Sequence, residues 1–390
     1  MIDHVPNCNC TGCFACANIC PVDAIKFLPN SKGFLVPNVD VKKCIRCKKC
    51  LTVCPSLAPL EASCYREPVV YAAWNKNEAI RVDSTSGGVF SALAEEIISR
   101  GGYVVGAEYD SEFCVRHTII RDLQDIQKQR QSKYTQSELG FIFREIKNFL
   151  DASSLVLFCG TPCQSAGLQK YLKKDYSTLF CCDFICRGVI SPEVYKKFLT
   201  DVCPSKNTLQ KVHFKNKDFG WNRFSTKLIF KDGQTYQKDR NEDYYMRGYL
   251  RHNLYLRDCC YRCDYKSLPR VSDISLGDFW GIGNYDSTLD NEQGTSVVLI
   301  NSDKGNTLFQ WANHRLVNTE RTIEEVLAGN SCLLNSAVLG EYRDFFFENM
   351  DKIPFPKLIE KIDDKSLKIN TKDKILRQLY QIKQRIKGER

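Results

Sequence analysis

The sequence predicts an α/β protein built from a small α+β module, a larger α/β domain and a helical C-terminal tail. For the larger domain, an apolar segment at 69–74 precedes apolar residues at helical spacing from Val89 to Ile98, and another apolar segment follows at 103–107. Strand, helix and strand at this spacing are typical of an α/β layer. The small module is indicated by eight cysteines between residues 10 and 54.

These eight cysteines repeat one spacing, C-x2-C-x2-C-x3-C-P, at 10–21 and again at 44–55. In this pattern three cysteines of a run bind one [4Fe-4S] cluster, and the fourth, before proline, binds the other cluster. The first predicted cluster is bound by Cys10, Cys13, Cys16 and Cys54. The second is bound by Cys20, Cys44, Cys47 and Cys50. Zinc sites are disfavoured, because structural zinc needs neither the third cysteine nor the one before proline.

Composition argues against several other classes of protein. The chain has 390 residues and 21 cysteines, and its N-terminus carries no secretory apolar segment. A disulfide framework is therefore not expected, and a reducing, cytoplasmic location is. No apolar run approaches the roughly 18 residues of a membrane-spanning helix. The net charge is +9, of which a large share falls in the last forty residues, with 12 Lys and Arg against 6 Asp and Glu. We expect no nucleic-acid partner.

Turn-forming residues and the distribution of charge divide the chain into four segments. Residues 1–60 form the two-cluster module, residues 69–150 and 151–330 form two parts of the larger domain, and residues 331–390 form a helical basic tail. In the tail, Ile375, Leu379 and Ile386 share one helical face among basic residues, which suits weak contact with an anionic membrane or an acidic partner. The alternative is a terminal helix packed on its own domain.

Two helix starts carry candidate binding residues. Ser84 to Gly88 combine hydroxyls and glycines before the helix at Val89, which suits a phosphate at the positive end of the helix dipole but equally an ordinary capped helix. Farther along, the buried-type strand 155–159 leads to Thr161 as N-cap and Pro162 at the first helical position. Cys163 on that first turn is favoured as a thiolate, the form of a nucleophile or metal ligand.

Five motifs together resemble the coenzyme F420 hydrogenase/dehydrogenase beta-subunit family over about residues 69 to 310. They are the segments 84–88, 132–137, 160–164, 186–188 and 277–281. Members are iron-sulfur flavoproteins that bind FAD and move electrons between clusters and a substrate, a deazaflavin in the archetype. The resemblance therefore implies that the larger domain binds flavin.

The resemblance also implies site residues. The residues implied to bind flavin are Ser86, Gly87, Gly88, Lys133, Tyr134, Gln136 and Ser137. The residues implied to bind a third [4Fe-4S] cluster are Cys163, Cys186, Cys260 and Cys263. Arg187 stands where many relatives have His, so the archetype's substrate is not carried over. No function is expected for the five histidines or for the remaining cysteines, among them Cys332.

Two functions remain open. The first is an iron-sulfur flavoprotein oxidoreductase that passes electrons through [4Fe-4S] clusters to or from FAD and a small-molecule, two-electron substrate. The second is an electron-transfer subunit of a larger redox complex with no substrate of its own. The redox partner is expected to be a ferredoxin or a reduced deazaflavin. Positive charge around the second cysteine run favours an acidic ferredoxin, although these charges also suit a merely solvated surface.

Overall fold

The computed structural model describes residues 2, 5, 6, 9–60, 64–203 and 209–367. The predicted amphipathic segment 371–390 lies outside these residues. Within them, no helix is both long and apolar enough to cross a membrane.

Strands and helices occur along the whole of the described chain. The strands are β1 (Ile25–Pro29), β2 (Leu35–Val39), β3 (Val69–Asn75), β4 (Tyr103–Tyr109), β5 (Val115–Ile120), β6 (Val156–Cys159), β7 (Leu179–Phe184), β8 (Leu209–Asn216), β9 (Ser225–Phe230), β10 (Thr235–Asp239), β11 (Ile274–Asp278), β12 (Ser296–Ile300) and β13 (Leu316–Arg321). The helices are α1 (Ala15–Asn18), α2 (Lys49–Thr52), α3 (Glu78–Val82), α4 (Val89–Ser99), α5 (Ile126–Gln129), α6 (Ile142–Asp151), α7 (Pro162–Leu172), α8 (Pro192–Val202), α9 (Tyr244–Met246), α10 (Asp303–Ala312), α11 (Ile323–Gly329) and α12 (Arg343–Asn349). Residues 355–367 are also helical.

An eight-stranded sheet forms the centre, in the order β13-β3-β12-β11-β7-β6-β4-β5. Strands β4, β6, β7 and β11 run parallel, and the strands that flank them pair antiparallel. The predicted mixed α/β fold with a large sheet is therefore confirmed. The carboxyl ends of the parallel strands lie at one edge, where α/β sheets place ligands.

The cysteine-rich module packs into the larger domain. Its strands β1 and β2 pair antiparallel across a turn that contains Asn30 and Gly33. Phe14 and Val53 of the module share one buried cluster with Phe143 of α6 and Phe158 of β6. Burial of such side chains contributes roughly 1.5 to 3 kcal/mol each. The contact between the module and the larger domain is therefore part of the protein's hydrophobic core.

A second, three-stranded sheet in the order β10-β9-β8 packs on a separate core. Phe198 of α8, Phe214 of β8 and Tyr245 lie in this core together with Phe346 and Phe355. The sequence assigns residues 331–390 to a tail. Up to residue 367, this segment is folded and contributes buried aromatic rings to the core.

Candidate functional site

The eight cysteines of the module surround two separate cavities. Cys10, Cys13, Cys16 and Cys54 line the first. Cys20, Cys44, Cys47 and Cys50 line the second. Each cavity thus takes three cysteines from one run and one from the other, which is the division that the spacing predicts.

The two cavities differ in burial. Cys13 and Cys16 in the first cavity are each 7% exposed. In the second, Cys47 is exposed, and Arg46, Lys48 and Lys49 form part of the lining. A group bound in the second cavity would therefore lie at the protein surface, and one in the first would lie inside.

A third cavity brings together the four cysteines from the larger domain. Cys163, Cys186, Cys260 and Cys263 all line it, and so do Cys259 and Cys332. The Thr161 side chain accepts from the Gln164 backbone in a capping box, and its hydroxyl lies 3.1 Å from the Cys163 sulfur.

The Val189 backbone N–H donates to the Cys260 sulfur at 3.4 Å. Hydrogen bonds to sulfur are common around iron-sulfur clusters and tune their potentials. Two thiols of the third cavity, those of Cys163 and Cys260, therefore already have orienting partners.

Burial disfavours ionisation of two of these thiols, Cys163 and Cys186. It raises the pKa of Cys163 well above its ordinary value and that of Cys186 to about 12. For Cys163 this outweighs the helix-dipole effect from which a thiolate was predicted. Ionised sulfur at these positions therefore needs a bound cation.

The spacing of the side chains distinguishes between kinds of metal site. Among the described residues, no three His, Cys, Asp or Glu side chains converge closely enough to hold one metal ion. Thiolates on one zinc lie 2.3 Å from it, and hence roughly 4 Å from one another. In a [4Fe-4S] cluster each cysteine binds its own iron, so four thiolates need not converge in this way. The cysteine groups fit clusters better than single ions.

A cavity of about 500 Å³ opens beside the third cysteine group, at the carboxyl edge of the large sheet. Ligand sites of 300 to 1,000 Å³ are usual for cofactors. Among its lining residues are Ser86, Gly88, Lys133, Tyr134, Gln136 and Ser137. The remaining predicted residue, Gly87, packs instead on the sheet, where a Cβ would lie 2.3 Å from the Ala73 carbonyl oxygen.

At one end of this cavity, helix α4 begins without a side-chain cap. Its N-cap is Gly88, with φ 84° and no side chain to bond the first-turn N–H groups. Val89 and Phe90 at the first turn line the cavity. Because unpaired N–H groups and the helix dipole attract anions, this end of the cavity fits a phosphate.

Several predicted flavin residues are already engaged by the protein. The Ser86 hydroxyl donates to the Thr295 carbonyl, and the Lys133 ammonium donates to the carbonyls of Lys128, Arg130 and Gln131. Lys133 therefore shapes the 128–133 segment while it lines the cavity.

Gln136 has a role that the sequence did not indicate. Its side-chain amide both accepts from the Leu35 N–H and donates to the Leu35 carbonyl, so it joins the module to the cavity wall. Tyr134 packs edge-on against Phe214 and Tyr249.

The histidine that sequence reasoning passed over lies in the same wall. His117 Nε2 donates to the Cys159 carbonyl, and its Nδ1 accepts from the Ser137 hydroxyl. Burial lowers the pKa of His117 to about 4, so the ring is neutral at pH 7. No spacing pattern marks His117, because its partners come from distant strands.

Charged side chains on the cavity wall form a second group of residues that was not predicted from the sequence. Lys215 donates to Asp278, whose other oxygen accepts from the Trp221 indole. The Lys215 ammonium lies 4.6 Å from the centre of the Trp280 ring, and Trp221 stacks on Trp280. The only sequence signal was the Gly277–Gly281 motif, which contains Asp278 and Trp280.

The cavities adjoin one another. Thr11 lines the first module cavity, the third cysteine cavity and the large cavity. Cys186 and Cys332 line both of the latter two. At Gly167 of α7, a Cβ would lie 2.9 Å from the Cys13 sulfur, so the helix that carries Cys163 touches the module directly. The three cavities are therefore neighbours in the fold.

Comparison with known protein families identifies the chain. The family model "Coenzyme F420 hydrogenase/dehydrogenase, beta subunit N-term" matches residues 70–143, and the model for the C terminus of the same subunit matches residues 154–326. The two together span more than half of the chain. The chain belongs to the coenzyme F420 hydrogenase/dehydrogenase beta-subunit family. A 4Fe-4S dicluster domain matches residues 9–58, so this member is an iron-sulfur redox protein.

Among solved structures, the chain is similar to one from the F420-reducing [NiFe] hydrogenase complex of Methanosarcina barkeri. Sequence identity is 17%, the alignment covers 77% of this chain and 95% of that one, and the TM-score is 0.48. No curated protein is significantly similar in sequence.

The F420 hydrogenase/dehydrogenase matches contain the candidate site. The N-terminal match includes every residue implied to bind flavin, and the C-terminal match includes Cys163, Cys186, Cys260 and Cys263. The dicluster match includes the eight module cysteines.

Proposed function

We propose that this protein is an iron-sulfur flavoprotein that passes electrons from its dicluster module, through a third [4Fe-4S] cluster, to or from FAD and a two-electron substrate. The single observation that carries the proposal is that the three cavities are neighbours, since Thr11 borders all three and Cys186 borders the third cysteine cavity and the large cavity. Electron carriers bound in these cavities would be neighbours.

In this assignment the clusters supply one-electron transfer and the flavin supplies the change from one to two electrons. The protein's residues hold and order these groups. Helix α4 offers its uncapped first turn to the pyrophosphate. Neutral His117 fixes Ser137 on the cavity wall, and the module is held against that wall through Gln136.

We expect electrons to enter at the second module cavity. Lys42, Lys43, Arg46, Lys48 and Lys49 are all exposed around it, and none is in a salt bridge with another described residue. Free cations beside a surface-exposed cluster would attract an acidic one-electron donor. Reduced ferredoxin should therefore reduce the bound flavin faster than reduced deazaflavin does, and the rate should fall as salt increases.

Stopped-flow bleaching of the flavin at two salt concentrations measures both rates. Lys48→Gln with Lys49→Gln should slow the ferredoxin reaction several-fold at low salt. Lys352→Gln with Lys357→Gln removes two exposed lysines that line none of the cysteine cavities and should leave it unchanged. A fast, salt-independent reaction with deazaflavin and none with ferredoxin would reverse the assignment of the donor.

Flavin binding should depend on pH through Lys133. Burial lowers the pKa of its ammonium to about 7, and a bound pyrophosphate would raise it again. Binding therefore takes up protons above about pH 7, and the FAD dissociation constant should rise between pH 7 and 9, by up to tenfold per pH unit. Below pH 6 the lysine is charged in both states, and this dependence should vanish.

Fluorescence titration of FAD from pH 6 to 9 tests this expectation. Lys217, behind Ser86, has a pKa lowered by burial to about 7 as well, so it contributes to the same pH range. Lys133→Met should flatten the curve in part, and a curve identical to wild type would assign the whole dependence elsewhere.

A further inference from the structure

Arg257 connects the module to the surroundings of the third cysteine cavity. Arg257 is 2% exposed, and its guanidinium donates to the carbonyls of Cys10 and Leu35 and to the side chain of Gln136. Its own backbone N–H donates to Val189, the residue whose N–H contacts Cys260. Arg257 therefore contacts the surroundings of two cysteine groups at once.

The loop of the module closes tightly over this guanidinium. At Gly12, with φ 71°, a Cβ would lie 2.9 Å from an Arg257 terminal nitrogen and 2.6 Å from the Gln136 amide nitrogen. The guanidinium also lies 5.4 Å from the centre of the buried Phe34 ring. Water is thus largely excluded from this charge.

The charge has no carboxylate partner. All three side-chain acceptors of Arg257 are neutral oxygens, and it forms no salt bridge with any described Asp or Glu. An unpaired charge held away from water is unfavourable, so this position favours a neighbouring anionic group. Cys10 of the first cavity accepts directly from the guanidinium through its carbonyl, and Cys260 of the third accepts from Val189, the residue bonded to the Arg257 backbone.

We propose that Arg257 is the shared counter-charge of the first module cluster and the third cluster, and that it raises the reduction potential of both. The inference rests on the proposed function, because it requires the third cluster. A cluster held by four thiolates is anionic and gains one more negative charge when it is reduced, so a neighbouring cation stabilises the reduced form more. One residue thereby raises the reduction potentials of both clusters that lie at the junction between the module and the larger domain.

EPR-monitored redox titration of the anaerobic, cluster-loaded protein tests the proposal. Arg257→Met should make reduction of the first and third clusters at least tenfold less favourable, a fall of about 59 mV in each midpoint. The second cluster should keep its potential. Arg257→Lys retains the charge and should keep all three potentials close to those of wild type, although lysine cannot reproduce the three-way hydrogen bonding.

Arg144 provides a matched control. Its guanidinium also donates to module carbonyls, those of Ala17, Asn18 and Cys20, but it is one-third exposed and pairs with Asp23. Arg144→Met should therefore leave the first and third potentials unchanged. Unchanged potentials in a fully loaded Arg257→Met protein would overturn the inference and leave the proposed function intact. A wild-type protein without a third cluster would overturn both.

If an Arg257 variant loses clusters, its iron content also tests the proposal. If Arg257→Met cannot hold iron in the first and third sites while Arg257→Lys holds both at wild-type potentials, the counter-charge role is supported. If Arg257→Lys loses the same clusters or shows the lowered potentials expected for Arg257→Met, the hydrogen-bond geometry is what matters and the proposal fails.

Discussion

Anaerobically prepared protein should contain on the order of 12 iron atoms per chain, and replacement of Cys260 and Cys263 by serine should lower this to about 8. Both cysteines line the third cavity together with Cys163 and Cys186. A serine hydroxyl stays protonated at neutral pH unless it binds metal and is a much weaker ligand of cluster iron than a thiolate, so loss of two thiolates should release one cluster. Iron and sulfide analysis with EPR of the dithionite-reduced protein measures the change.

The neighbouring cysteine provides the control. Cys259 lines the same cavity but is not among the predicted ligands. Cys259→Ser should keep about 12 iron atoms, on the count of four per cluster. Iron that does not change in the double variant would exclude the third cluster, and a loss of four irons from Cys259→Ser alone would move one ligand to that residue.

Gly88→Asp should lower the flavin content from about one FAD per chain to less than a tenth of that. At this position a Cβ would lie 3.1 Å from the Ser84 hydroxyl and 3.3 Å from the Asn75 Cβ, and φ is 84°. The new carboxylate would bond the first-turn N–H groups of α4 itself and repel a pyrophosphate from the same place. Flavin released by heat, measured by fluorescence, gives the occupancy.

Gly101 is the matched control at the other end of the same helix. It also has a positive φ, 78°, but no atom lies within 4 Å of its Cβ position. Gly101→Asp therefore carries the same left-handed strain without touching the cavity, and it should keep its flavin. If both variants lose flavin alike, the effect is one of folding, and wild-type protein that binds no FAD would remove the flavin from the proposal.

The sequence alone predicted much of the local structure. Thr161 and Pro162 predicted the start of α7, and the helical spacing from Val89 to Ile98 predicted α4. These features depend on residues that are adjacent or a few positions apart, which is the range over which capping and turn geometry act. The division of the eight module cysteines into two groups followed from spacing for the same reason.

What depends on distant segments was decided by the tertiary structure. Gln136 was implied to contact flavin and lines the large cavity, and its amide also bonds Leu35, a hundred residues earlier in the chain. His117 showed no pattern, and the fold places it between Ser137 and Cys159. Neither role has a local signal, because the partners meet only when separate strands pair.

Arg257 shows the same division. Spacing marked Cys10 as a candidate ligand and the family resemblance marked Cys260, but nothing in the sequence distinguishes Arg257 from the other arginines. Only docking of the module places its guanidinium beside Cys10 and Leu35 and removes it from water. Spacing along the chain determines which cysteines can share a cluster, whereas burial and the charges around it, which set its potential, are created by packing between remote segments.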